Sequence, residues 1–277
     1  LAELVSEELF DAYLRALEPS RPFLLASDIQ EFSRWRGDLD DALMSGDLEP
    51  AYAVFNRLRE RRVAQLDLLL ATLDERLAAL AFDGDEELQL DRREAPWPVA
   101  EAEALALMEL RFKNEVLGLR MAEREPDAVK EVLERRYSDQ RRRLLQVDSG
   151  DVFRVWMNVV THTYDPHTEY FPPRDSENFD IRMSLSLEGI GALLGSEGEY
   201  CRVERIIPGG PAERDGRLQA ADRIVGVAQG EEGQMVDVVG WRNDEIVELI
   251  RGPKDTLVKL SVLPAGQGDA ATPRVIE

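Results

Sequence analysis

One cysteine, two histidines and four lysines stand in a chain of 277 residues. The lone Cys201 excludes an intrachain disulfide, and its place in the alternating run YCRVERI makes it a half-buried structural thiol. The two histidines fall in THTYDPHTEYFPP, where His162, Asp165 and His167 share a spacing that matches no standard zinc pattern. Pro166, Pro172 and Pro173 forbid a helix there, so the stretch reads as a turn with hydrogen-bonded imidazoles, and neither a metal nor another cofactor is expected. No run of 18 apolar residues exists, which excludes a membrane-spanning helix. Positive charge is also scarce: the net charge of -21 would repel a phosphate backbone, so nucleic acid is not an expected partner. The exception is a cluster of Arg135, Arg136, Arg141, Arg142 and Arg143. In so acidic a chain its expected role is pairing with nearby Glu and Asp, and docking of an acidic partner is the alternative. The sequence opens at Leu1 with helical patterning and no charged-then-apolar leader, so it reads as a fragment or processed form.

What is present has two textures. Up to about residue 164 apolar residues recur at helical spacing, as in Leu1, Leu4, Leu9, Tyr13 and Leu17. Ser27, with Gln30 three residues on, gives a capping-box pattern for a second helix through Ile29, Phe32, Leu39 and Leu43, which Gly46 ends. A long helix is expected from about Ala51 to Leu80, then a loop over FDGDEELQLDRREAPWP. Three further helices follow, marked by Leu105 to Leu119, Val129 to Val147 and Val152 to Val159, about six in all.

From about residue 182 the pattern becomes short strands and two helices: RMSLSLE, IGALLG, YCRVERII, a turn PGGPAERDG with Pro211 opening a short helix, DRIVGVA, the amphipathic helix WRNDEIVELIRGP closed by Gly252 and Pro253, and a final strand TLVKLSVLP.

Within this half, SLEGIGALLG poses a question. A dinucleotide fingerprint needs G-x-G-x-x-G opening a helix after a strand. Gly189 and Gly191 are followed by Gly195, one position late, and a strand follows, so the pattern fails. Glycines also let successive backbone amides converge on an anion. A carboxylate held there would be a chain end, and the residues before it could add to IGALLG as an antiparallel strand flanked by helix 240–251.

The stretches LSLEGIGALL, IIPGGPA, ADRIVGV and DVVGWRNDEIVELIRGPKDTLVKLSVLPAG resemble a PDZ domain, and more closely that of the carboxy-terminal processing proteases. FLLASDIQEF, APWP, RRYSDQRRRL and DPHTEYFPPRDSENFDIRMSLSLEGIGA resemble the tail-specific protease branch, and the likeness covers nearly the whole chain. It implies an α+β multidomain protein: an all-α helical domain over 1–180, a PDZ domain over 181–264 built as a small antiparallel β-barrel or sandwich with two helices, and the start of a connection to a protease core over 265–277. It implies that the amides of Ile190, Gly191 and Ala192 hold a substrate's terminal carboxylate, with Gly189 setting the turn. Ala192 and Leu194 would line one wall of a groove, Asn243, Val247 and Ile250 the other, and Ile246 and Leu249 would face the core. One departure stands out: the family's usual Gly-Asp before a strand is Ala221-Asp222, so a turn needing positive φ would have to be altered.

The family is made of serine endopeptidases in which a lysine of lowered pKa activates the serine. None of Lys113, Lys130, Lys254 and Lys259 sits beside a plausible nucleophile; Lys259 and Ser261 merely share a strand face. The chain is therefore expected to recognise substrates without cleaving them, with no catalytic residue of its own. The implied partners are apolar C-terminal tails of envelope proteins and an adaptor on the helical domain, in the periplasm. A non-catalytic scaffold whose PDZ groove acts as a lid is the competing reading.

Overall fold

The structure is a computed structural model that describes residues 2–122, 125–173, 176, 189–266 and 272–277. The chain divides into two compact units, Leu1–Pro173 and Arg174–Glu277.

Helices form the first unit because its apolar residues recur every three to four positions and its prolines stay out of helix interiors. Pro126 opens α7 and Pro50 lies in the first turn of α4, positions where a missing N–H costs nothing. The elements are α1 (Ala2–Leu17), α2 (Ala26–Phe32), a 3-10 turn (Ser33–Trp35), α3 (Leu39–Ser45), α4 (Glu49–Ala71), α5 (Leu73–Ala79), α6 (Glu101–Met121), α7 (Pro126–Gln146) and α8 (Ser149–Tyr164). The segment expected as one helix from Ile29 to Leu43 is thus split, and the expected long helix breaks at Thr72. There the Thr72 hydroxyl bonds back to the Leu68 carbonyl, a competition with helix bonding that favours a bend. The expected Ser27–Gln30 capping box is absent: the N-cap is Leu25, whose side chain offers no acceptor, and Asp28 supplies the single cap bond by accepting from Leu25 N at 2.9 Å.

Helix α4 is the shared spine. Its first half packs Ala51, Val54 and Leu58 with Leu9, Tyr13, Phe32 and Trp156; its second half packs Leu66 and Leu69 with Phe112, Val116, Leu133 and Tyr137. Tyr13 meets Trp156 edge-to-face at 4.9 Å and donates its hydroxyl to the Ala51 carbonyl. Three of the five arginines of α7 pair with acids: Arg136 with Glu115, Arg141 with Asp67 and Arg142 with Asp139. No helix among the described residues is long and apolar enough to cross a membrane.

The second unit contains β1 (Ala192–Glu197), β2 (Tyr200–Ile206), α9 (Pro211–Asp215), β3 (Arg223–Gln229), β4 (Val236–Asp237), α10 (Asn243–Ile250), β5 (Val258–Leu263) and β6 (Arg274–Ile276). All pairings are antiparallel, in the order β1-β2-β3-β5-β6 with β4 also on β3. Period-two patterning buries one face: Cys201 and Val203 of β2, Ile224 of β3, Leu260 and Val262 of β5, and Ile276 of β6 gather with Ile246 and Ile250 of α10. The segment 265–277, read as a connection, thus contributes β6 to this sheet. Helix α10 ends at Ile250 with Arg251 as its C-cap, which places Gly252 just past the end as the sequence signal requires, and the Gln229 side chain donates to the Leu249 and Arg251 carbonyls. RMSLSLE, residues 182–188, read as a strand, lies outside the described residues.

Candidate functional site

The Gly-Ile-Gly loop enters β1 under tight backbone constraint. Gly191 has φ 74°, a left-handed value that costs an ordinary residue about 1–2 kcal/mol. A Cβ on Gly191 would lie 2.9 Å from the Gly210 Cα, and one on Gly210 would lie 3.0 Å from the Gly191 Cα. The two glycines therefore pack backbone to backbone, which links GIG to PGGPA in a way neither stretch discloses alone. Two hydrogen bonds seal the contact: Ile207 N donates to Gly191 O and Ala212 N to Ile190 O, each at 2.8 Å.

These bonds fix which way the main chain of β1 faces. The Gly191 carbonyl points at β2, so the alternation of a strand sends the main-chain groups of Ala192 and Leu194 to the opposite side. Among the described residues β1 pairs only with β2, so among them no strand covers that side. The register shift between Leu193 and Leu194 places the extra residue on β2 and preserves this alternation in β1. Ile190, Ala192 and Leu194 turn their side chains against the sheet core, while Leu193 is exposed.

Helix α10 packs against β1 and β3. Asn243, its first residue, donates Nδ2–H to the Leu194 carbonyl at 3.3 Å, and Cys201 donates its thiol to Asn243 Oδ1 at 3.0 Å. Val247 is half-buried, outside the core cluster, on the groove side of the expected division. Ile250 is buried in that cluster beside Ile246, and Leu249 packs on it only partly. The helix therefore divides between groove and core about one position away from the sequence reading.

A cavity of about 620 Å3 opens beside Gly189 and Ile190, lined by the apolar Ala212, Leu218, Ile250, Leu260 and Ile276. Arg214 and Lys254 lie in the same lining with Asp215, Asp255 and Glu277, so its charges largely offset one another.

Other candidate chemistry resolves into structure. Cys201 is buried, and burial pushes its thiol up to about 12, so no thiolate nucleophile forms at neutral pH. Asp165 accepts from His167 N and Thr168 Oγ1, the bonds of a turn. Among the described residues no three His, Cys, Asp or Glu side chains converge as a metal would need. Lys113 pairs with Glu86, Lys130 with Asp74, and Lys259 with Glu277 while also donating to the Glu231 carbonyl. The bond to Asp74 holds the Lys130 amine above its ordinary pKa, the opposite of what a general base requires. Ala221 keeps φ 71° instead of altering the turn; Asp222 anchors the segment by accepting from Gln219 N and Ala265 N and pairing with Arg274.

The sequence of residues 1–174 matches the family model of the tail specific protease N-terminal domain, and residues 179–263 match the PDZ domain model. The chain belongs to the tail-specific protease family. It is 36% identical over 264 residues to the tail-specific protease of Haemophilus influenzae, covering 95% of this chain and 37% of that protein. It is also 36% identical over 105 residues to the carboxy-terminal processing protease CtpA of Bacillus subtilis, covering 38% of this chain and 21% of that protein. A solved structure of the PDZ domain of the carboxy-terminal protease from Vibrio cholerae in complex with peptide is 48% identical, covers 32% of this chain and 89% of that one, and has a TM-score of 0.31. The chain thus spans little more than a third of the Haemophilus relative. The family match fixes the broad architecture, a helical N-terminal region followed by a PDZ domain with an antiparallel sheet.

Proposed function

We propose that this chain is the substrate-recognition part of a serine endopeptidase that processes proteins from apolar C-terminal tails. In this reading the amides of Ile190, Gly191 and Ala192 hold the terminal carboxylate, with Gly189 completing the loop. The tail adds to the open edge of β1, between Ala192 and Leu194 on one side and Asn243 and Val247 on the other, with Ile250, which the sequence assigned to the same wall, buried in the core cluster. The observation that carries the reading is the edge itself: main-chain groups of Ala192 and Leu194 face away from β2, directly after a loop whose Gly191 backbone is turned to φ 74°. Apolar side chains at Ile190, Ala192 and Leu194 suit an apolar last residue. The cleaving serine and its lysine base belong, on this proposal, to the part of the relatives that this chain does not span, and this chain alone does not hydrolyse protein. The domain division 1–180, 181–264 and 265–277, a periplasmic setting, envelope-protein tails as substrates and an adaptor on the helical unit complete the proposal. Titrating the chain with a peptide ending in Val-Ala tests it. Saturable binding is expected, and its absence would leave a scaffold with a shut groove.

A further inference from the structure

We propose that Asn243 is an internal stand-in for ligand backbone, occupying the open edge of β1 until a peptide strand displaces it; this rests on reading that edge as the peptide groove. An antiparallel strand added to β1 must direct an N–H at the Leu194 carbonyl. In the free chain that carbonyl already accepts Nδ2–H from Asn243. The amide cannot turn round without loss, because the Cys201 thiol donates to its oxygen. A donor on Oδ1 leaves Nδ2 as the group that faces the strand, so the two bonds specify one orientation. Cys201 is therefore a positioning residue acting through Asn243, a role that its burial on β2 makes rigid.

The geometry suits a bond that is made to be released. At 3.3 Å it is longer than a well-made N–H to O bond, so its loss costs little. It nevertheless gives a partner to an edge carbonyl that would otherwise template unselective strand pairing. Only a ligand that also gains from the carboxylate loop and the apolar wall outcompetes it.

The test uses the 277-residue chain, calorimetry and a peptide with a free carboxylate ending in Val-Ala. Asn243→Ala removes the competitor and is expected to bind about two- to threefold more tightly, the low end of one net hydrogen bond because the bond is long. Wild-type binding with equal or weaker binding by Asn243→Ala overturns the proposal and leaves the groove reading intact. No binding by either chain overturns the groove reading, and the proposal with it. For Cys201, the Ser variant keeps a donor and should retain wild-type affinity, while Cys201→Ala should tighten binding; equal shifts in both would assign the thiol to packing alone. The side-chain amide signals of Asn243 in wild-type NMR spectra give a reading that needs no variant. They should shift on peptide addition, and signals unmoved at saturation overturn the stand-in role.

Discussion

The buried acids of the helical unit and of the sheet unit do different work. In the helical unit Asp28 and Glu18 are buried at the heart of the packing. Asp28 caps α2 through Leu25 N and accepts from Arg57 and Arg61 of α4. Glu18 gathers the Phe23 and Leu24 amides, with Arg62 and Arg111 over the Phe23 ring. Burial alone would raise the Asp28 pKa, yet bonds from Arg61, Leu25 and Arg57 hold it below the usual carboxylate range. In the sheet unit the buried acid Asp222 ties down a turn, and the candidate site is made of main chain, small side chains and two glycines in contact. The helical unit is specified by side chains that meet, the site by side chains that are missing.

That contrast is sharpened first by Asp28→Ala, which leaves two arginines without their buried partner. It should destabilise the helical unit by about 3 kcal/mol and leave the sheet unit's own transition unchanged, read in urea melts with unit-specific probes. A loss below about 0.5 kcal/mol would show that the arginines simply turn to water.

The pH dependence of the helical unit comes next. Burial pushes Glu18 up to about 7, against the pull of the Phe23 and Leu24 amides and of Arg62 and Arg111. A carboxyl whose folded pKa lies above its unfolded value binds more protons in the fold. Stability should therefore fall as pH rises from about 4.5 to about 7, by roughly 2–3 kcal/mol. Glu18→Gln mimics the neutral form and should flatten that slope; parallel profiles would contradict the assignment.

In the sheet unit Gly191→Val should cost about 2 kcal/mol in stability, since it combines a left-handed φ with a clash against the Gly210 backbone. The smallest effect has the opposite sign. Ala221→Gly relieves φ 71° and should stabilise by about 0.5–1 kcal/mol, seen as a modest rise in Tm. No rise would mean that the Asp222 anchor already compensates fully.

Much of this could be read from the sequence because the signals were local. Period-two runs at YCRVERI and DRIVGVA became β2 and β3, and Pro211 opened α9 as its type demands. The expected residues Ala192, Leu194 and Asn243 come together, with Asn243 bonded to Leu194. The misses depended on partners far along the chain. Gln229 donates to the last carbonyls of α10 from 20 residues away, and Cys201 reaches Asn243 across 42. The alternation around Cys201 signalled burial but not its partner. The Gly191–Gly210 contact changes what the loop glycines mean: Gly191 serves packing as well as any anion, so replacing it tests stability and binding together. Asp28 displaced Ser27 and Gln30 at the α2 cap because its side chain is shared with Arg57 and Arg61 of α4, a tertiary demand that overrides the local pattern.

Paired calorimetric titrations with one peptide ending in Val-Ala, once with a free and once with an amidated C-terminus, isolate the loop from the apolar wall. Charge-assisted bonds from backbone amides to a carboxylate contribute roughly 1.5–3 kcal/mol each when well made. The account predicts at least about tenfold weaker binding for the amide. Equal affinity for the two peptides would contradict the carboxylate nest and reduce Gly189-Ile190-Gly191 to a tight turn that packs on Gly210.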